Sequence, residues 1–225
     1  MLRLDDVSVS IGPVSILRGV TLGVGDGEFA GLIGRNGAGK TTLLRTIMGL
    51  LPAREGVLGF GGKALRDVPT HARVSLGMGY MPEDRRLVPA LTVEENVLLP
   101  AWSARFPDTG ERLERVYKAI PEVFQLRARK ALHLSGGQQK LVALARAMMA
   151  GTRLLLLDEP FEGVAPVLAR RLAEVIAGLR QTGVSAILSE SSLAHAHHLL
   201  DRVLIIDRGA VSQAVEPRPH KPRTG

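Results

Sequence analysis

Cysteine is absent from the 225 residues, which excludes disulfides, thiolate zinc sites and a cysteine nucleophile. Aromatics are scarce. Five Phe, two Tyr and one Trp are too few for a platform on which single-stranded bases stack. No apolar run approaches the roughly eighteen residues that span a bilayer. Asp5 and Asp6 stand where a signal peptide needs an apolar stretch, so a soluble, intracellular chain is expected. No repeat of about twenty to fifty residues and no sustained heptad run is visible. What is present is ordinary globular composition, 45% hydrophobic and 23% charged, which argues against disorder. The length suits one domain, or one domain with an inserted subdomain. Lys and Arg number 29 against 22 Asp and Glu, and the resulting charge of +7 points to an anionic ligand or surface.

Short apolar segments alternate with helical patterns along the chain. Leu2, Leu4, Val7 and Val9 are spaced as strand residues, and Phe29 to Ile33 is an apolar run that ends in glycine. A helix is expected over Thr41 to Leu50. The stretch from Glu83 to Met148 reads as mostly helical. Leu154 to Leu157, Ser185 to Leu188 and Val203 to Ile206 read as buried strands. Between the first two of these, Leu168, Leu172, Val175, Ile176 and Leu179 mark one helix face. Such alternation predicts a parallel α/β sheet with the helical middle inserted into it. The last residues, EPRPHKPRTG, form a basic, Pro-rich tail.

Three motifs carry chemistry. Gly34-Arg35-Asn36-Gly37-Ala38-Gly39-Lys40-Thr41 matches G-x-x-x-x-G-K-[ST] between a strand and a helix. Glycines let successive N–H groups turn inward around phosphate oxygens, and the next helix points its positive end at them. Lys40 can reach the β- and γ-phosphates, and the Thr41 hydroxyl can ligate Mg²⁺. A chance match in a chain this long has odds on the order of one in a hundred. Asp158 and Glu159 follow a buried strand, at the end that faces the ligand crevice of a parallel sheet. Asp158 suits Mg²⁺ and Glu159 suits a general base for water. Ser135-Gly136-Gly137-Gln138 opens a helix and forms a second anion site. One mononucleotide does not need two such sites from one subunit, so a nucleotide held between two chains is suggested.

Together these residues resemble the ATP-binding subunit of an ABC transporter, from Leu2 to about Gly209. GRNGAGKTT (Gly34 to Thr42), LSGGQ and LLLLDEP stand in that family's order. IMGLLPAREG, MPEDRR with LTVEENV, and FEGVAP carry a finer likeness to subunits serving importers of branched-chain amino acids, amides or urea. The resemblance implies a P-loop NTPase of α/β class. Its RecA-like core would have a mostly parallel sheet, an N-terminal antiparallel β portion and an inserted helical subdomain. Core residues would be 1–82 and 149–215, the helical subdomain 83–148, and the tail 216–225. ATP and Mg²⁺ would bind, with Gly34 to Thr42 holding one nucleotide and Ser135 to Gln138 a partner's. The implied partners are a second, homologous ATP-binding subunit, membrane permease subunits and, indirectly, a periplasmic binding protein, with no nucleic acid. The implied location is peripheral, on the cytoplasmic face of the inner membrane.

Four positions depart from the family's pattern. Ile11 stands where an aromatic usually stacks on adenine, so loose base selectivity is expected. Glu83 replaces the Gln that contacts Mg²⁺ and water; a carboxylate can still ligate the ion. Ser191 falls at the switch histidine, and a serine does not titrate near neutral pH. Phe161 replaces a small residue. Other features read as bland: His195, His197 and His198 as the polar side of a late helix, and Arg127, Arg129 and Lys130 as a solvated face. A soluble ABC-type ATPase acting on DNA or ribosomes is the alternative. Its members carry a long coiled coil or two ATPase halves in one chain, and neither is present. A GTPase would need an N-K-x-D motif, which the sequence lacks.

Overall fold

The computed structural model describes residues 1–213, and the tail expected at 216–225 lies outside them. Alternation governs each half of the first strand, β1 (Leu2–Ile11): Leu2 and Leu4, then Val7 and Val9, are buried, with the period reset by an irregularity at Asp6, φ 51°. The chain turns at Gly12, where a φ of 57° suits a residue without Cβ, into the antiparallel β2 (Val14–Val24). β3 (Phe29–Ile33) leads through the glycine-rich loop to α1 (Lys40–Met48). β4 (Glu55–Phe60) and β5 (Lys63–Ala64) complete a first sheet of order β2-β1-β4-β5. α2 (Thr70–Ser75) and β6 (Met78–Met81) follow.

The helical middle then leaves and rejoins the core. α3 (Val93–Ala104), α4 (Thr109–Ala119), α5 (Pro121–Gln125) and α6 (Gly136–Ala150) lie between β6 and its parallel neighbour β7 (Leu154–Asp158). This segment starts with a non-helical stretch up to Thr92. Pro89 cannot donate within a helix, and Arg85 and Arg86 take left-handed φ values of 62° and 47°. Asn96, fully buried on α3, anchors the stretch: its Oδ1 accepts from Val88 N at 2.7 Å and its Nδ2 donates to Thr92 O at 2.9 Å.

After β7 come α7 (Pro166–Leu179), β8 (Ser185–Glu190), β9 (Arg202–Asp207) and β10 (Ala210–Gln213). The second sheet has the order β10-β9-β3-β8-β7-β6, and only β10 runs antiparallel. The histidine-bearing stretch is a single 3₁₀ turn at His197–Leu199, not the expected helix, since Ser191 and Ser192 favour turns.

The second sheet separates two hydrophobic cores, and strand period decides which residue joins which. Leu154 and Leu156 pack with α1 and the first sheet, whereas Leu155 and Leu157 pack with α6 and α7. β3 divides in the same way, Ala30 and Leu32 to one side and Phe29 to the other. Strands covered on both faces read as continuous apolar runs, which is why they were visible in the sequence. The C-terminal ends of the neighbouring β3, β8 and β7 bring together Gly34, Glu190 and Asp158.

Gly79 of β6 tests this packing. A Cβ there would lie 2.8 Å from Gly151 N and closer still to Ala147 O, both backbone atoms that cannot swing aside. Gly79→Ala should therefore lower unfolding stability by about 2–3 kcal/mol, read as a lower urea midpoint at unchanged slope.

Candidate functional site

The loop at the end of β3 is shaped by its glycines. Gly37 and Gly39 have φ of 82° and 113°, and Gly34 approaches β9 so closely that a Cβ would meet Ile206 Cγ2 at 2.7 Å. The turn aims the start of α1 at a cavity of about 390 Å³. Asn36, Gly37, Gly39, Lys40, Thr41 and Thr42 line it, together with Glu83, Glu159 and Ile16. Lys40 is buried and donates to the carbonyls of Gly34 at 2.7 Å and Arg35 at 3.3 Å. Its Nζ also pairs with Glu159 Oε1 at 2.8 Å, with both side chains about 5% exposed.

Asp158 lies behind this pair and is wholly buried. Three hydroxyls serve its carboxylate: Thr41 Oγ1 donates at 3.2 Å, Ser189 Oγ at 2.7 Å and Tyr80 Oη at 3.0 Å. The Tyr80 phenol is pushed well above its ordinary pKa by burial and by the charge of Asp158. Glu159 leaves β7 in a left-handed turn, φ 48°, fixed by its N–H donating to Ser189 O at 3.1 Å. Such a φ is uncommon for a residue with Cβ and recurs at functional sites. Glu83, Glu159 and Glu162 bring carboxylate oxygens within 4.8 Å of one another, an oxygen-rich group suited to a hard cation.

The other anticipated residues lie outside this cavity. Ser135 caps α6 and forms a box with Gln138: Ser135 Oγ accepts from Gln138 N at 3.3 Å, and Gln138 Oε1 accepts from Ser135 N at 3.0 Å. Gly136 and Gly137 occupy the first turn of α6, and a Cβ on Gly137 would strike Leu168 Cδ2 at 2.6 Å. Ile11 sits at the exposed hairpin end, while Ile16, five residues on, lines the cavity. Ser191 is exposed, one residue past β8. Phe161 is buried and packs beside His195, ring centres 6.0 Å apart.

Sequence reading missed Ile16, Tyr80, Ser189, Glu162, Glu190 and Lys140. Tyr80, Ser189 and Glu190 lie near the C-terminal ends of strands beside β7, a placement that needs the strand order. Lys140 did leave a signal: it shares a helix face with the buried Leu144 and Ala147, where a charge is out of keeping. Its Nζ donates to the carbonyls of Glu159 at 2.7 Å and Pro160 at 3.3 Å.

The fold and the loop define a P-loop nucleotide hydrolase. The family model for ABC transporters matches residues 17–162. The high-affinity branched-chain amino acid transport ATP-binding protein BraG of Pseudomonas aeruginosa is 35% identical over 94% of this chain and 91% of its own. The lipopolysaccharide export system ATP-binding protein LptB of Haemophilus influenzae is 29% identical over 94% of this chain and 88% of its own. Among solved structures, the dimeric post-hydrolysis state of the ATP-binding cassette MJ0796 with ADP and Pi superposes with a TM-score of 0.85 at 25% identity. That match covers 97% of this chain and all of the cassette. The chain belongs to the ABC transporter family, as an ATP-binding subunit with ATPase activity.

Glu190 supplies a pH test of the site. Burial first, and then the charge of Glu159, push its carboxyl up to about 7, against the hydrogen bond from Phe161 N at 3.1 Å. A raised carboxyl pKa leaves stability intact below the ordinary value and removes it as pH climbs through 7. Glu190→Gln, which keeps the acceptor, should therefore gain on the parent by about 2–3 kcal/mol between pH 5 and pH 8. Urea unfolding at the two pH values measures the gap.

Proposed function

We propose that this chain powers an ABC-type importer for branched-chain amino acids or a related amide-like solute. The buried Lys40–Glu159 pair at the mouth of the phosphate loop carries the hydrolytic part of the reading. The likeness to BraG supports the substrate class. Arriving γ-phosphate replaces Glu159 as the partner of Lys40. Glu159, released, then takes a proton from the attacking water. Thr41 Oγ1 and Asp158 Oδ1, hard oxygens 3.2 Å apart, fit Mg²⁺, with Glu83 on the same cavity as a third donor. Bound there, the ion would neutralise charge on the phosphate oxygens. Gly34 to Thr42 cradle the triphosphate, and Ile16 on the cavity wall, with Ile11 at the nearby hairpin end, gives adenine only apolar contact.

In this reading residues 83–148 are a helical subdomain inserted into a core of 1–82 and 149–215. No helix among the described residues is long and apolar enough to cross a membrane. The reading makes attachment peripheral, at the cytoplasmic face of the inner membrane, through permease subunits that a periplasmic binding protein supplies. The loop before α3, with the half-exposed Val88, offers them a docking rim. The likeness to LptB favours a second reading, energising lipopolysaccharide export. Disrupting the gene separates the two: loss of high-affinity leucine uptake supports import, whereas unchanged uptake with altered surface lipopolysaccharide supports export.

The working dimer pairs this chain with a homologue, and the two nucleotide sites differ. Each takes a phosphate loop, Asp158-Glu159 and the switch position from one chain and Ser135 to Gln138 from the other. Losing one positioned transition-state donor costs ~10²–10³ in rate, so the site carrying Ser191 is the slower. Glu159→Gln should keep nucleotide binding and lose turnover at this chain's own site, whereas Lys40→Ala should weaken binding itself. In the reconstituted complex, Gly136→Asp should harm transport more than Glu159→Gln. Equal losses would show equivalent sites.

A further inference from the structure

Lys140 is 1% exposed, yet no carboxylate oxygen lies within ion-pair distance of its Nζ among the described residues. Its hydrogen bonds run instead to two consecutive backbone carbonyls, Glu159 O at 2.7 Å and Pro160 O at 3.3 Å. A buried ammonium without a direct counter-ion is costly, and burial lowers its pKa. The charges of Glu190, Glu83 and Glu159 offset that cost only in part, and an apolar side chain would leave both carbonyls without this donor. A lysine here therefore calls for a function, and the two carbonyls it holds belong to the turn that aims Glu159.

That turn is strained, with Glu159 at φ 48°. From the β8 side Ser189 holds the Glu159 N–H, through its carbonyl at 3.1 Å and its hydroxyl at 3.2 Å. From the α6 side Lys140 holds the Glu159 carbonyl. The peptide groups on both sides of Glu159 are thus fixed from two different elements. The α6 anchor stands two residues beyond Gln138, on the helix whose first turn carries Ser135 to Gln138.

We infer that Lys140 is a positioning residue for ATP hydrolysis, tying the orientation of Glu159 to the helix that carries Ser135 to Gln138. The inference rests on Glu159 acting as the base. Engagement of Ser135 to Gln138 by the partner's nucleotide loads α6, and Lys140 passes that load to the turn that points Glu159 at water. Misplacing a reacting group by about 1 Å can cost ~10²-fold in rate.

The test uses the full-length chain in its complex, with Lys140→Met and Lys140→Gln beside Glu159→Gln. Met fills the volume without a donor. Gln keeps a neutral donor that can reach a carbonyl. Lys140→Met should lower kcat by about tenfold to 10²-fold while KM for ATP stays within about twofold, and Lys140→Gln should recover most of kcat. Parental kcat in Lys140→Met, or a parallel rise in KM, would overturn the positioning role. So would equal losses in the Met and Gln variants with a shared drop in melting temperature. Parental turnover in Glu159→Gln would overturn the base assignment and this inference with it. Lost turnover in Glu159→Gln with parental Lys140→Met would overturn the inference alone.

Discussion

Two adjacent carboxylates at the end of a strand covered on both faces set the terms for the rest of this structure. Isolated carboxylates there would be destabilising by several kcal/mol each. Each is met differently. Asp158 receives three hydroxyl donors from α1, β6 and β8. Glu159 receives an ammonium from the glycine-rich loop. Thus β7, β8, β6 and the start of α1 must meet at one point, and the order β3-β8-β7-β6 brings them there. The same neutralisation poises the site. In the function proposed, a triphosphate would offer Lys40 a stronger partner than Glu159 and so release that carboxylate.

The two cores divide the labour. The one shared by the first sheet and α1 stiffens the phosphate loop from below, with Leu43, Leu44 and Ile47 fully buried. The other joins β7 and β8 to α6 and α7, and so links the acidic pair to the helical middle. The loop at the opening of that middle is held by the four hydrogen bonds of Asn96, to Val88, Leu91 and Thr92. Binding chemistry sits on the first core and its coupling to the helices on the second.

Much of this was legible in the sequence because strong local constraints leave marks. The apolar runs at Phe29 to Ile33 and Leu154 to Leu157 show strands buried on both sides. The glycines around Lys40 mark a turn that side chains would block. Long-range neighbours left fainter marks. Tyr80 and Ser189 look like ordinary strand residues until β6 and β8 flank β7, and no spacing rule links positions so far apart in sequence. The motif spacing points to Ile11 at the hairpin, whereas Ile16 joins the cavity wall because β2 runs on past the loop, which spacing alone does not show. The expected late helix failed because a few apolar residues among Ser and His give too little face to bury.

Arg146, on α6, donates to the backbone carbonyls of Arg85 and, at 2.7 Å, Arg86, the two residues in left-handed conformation. Arg85 in turn donates to Gln139 Oε1 at 3.0 Å, on the same helix. The loop is therefore stitched to α6 near the helix start and again about two turns further along. Two anchors on one rigid rod remove the freedom to pivot. A displacement of this loop must therefore be shared by α6 or break one of these hydrogen bonds.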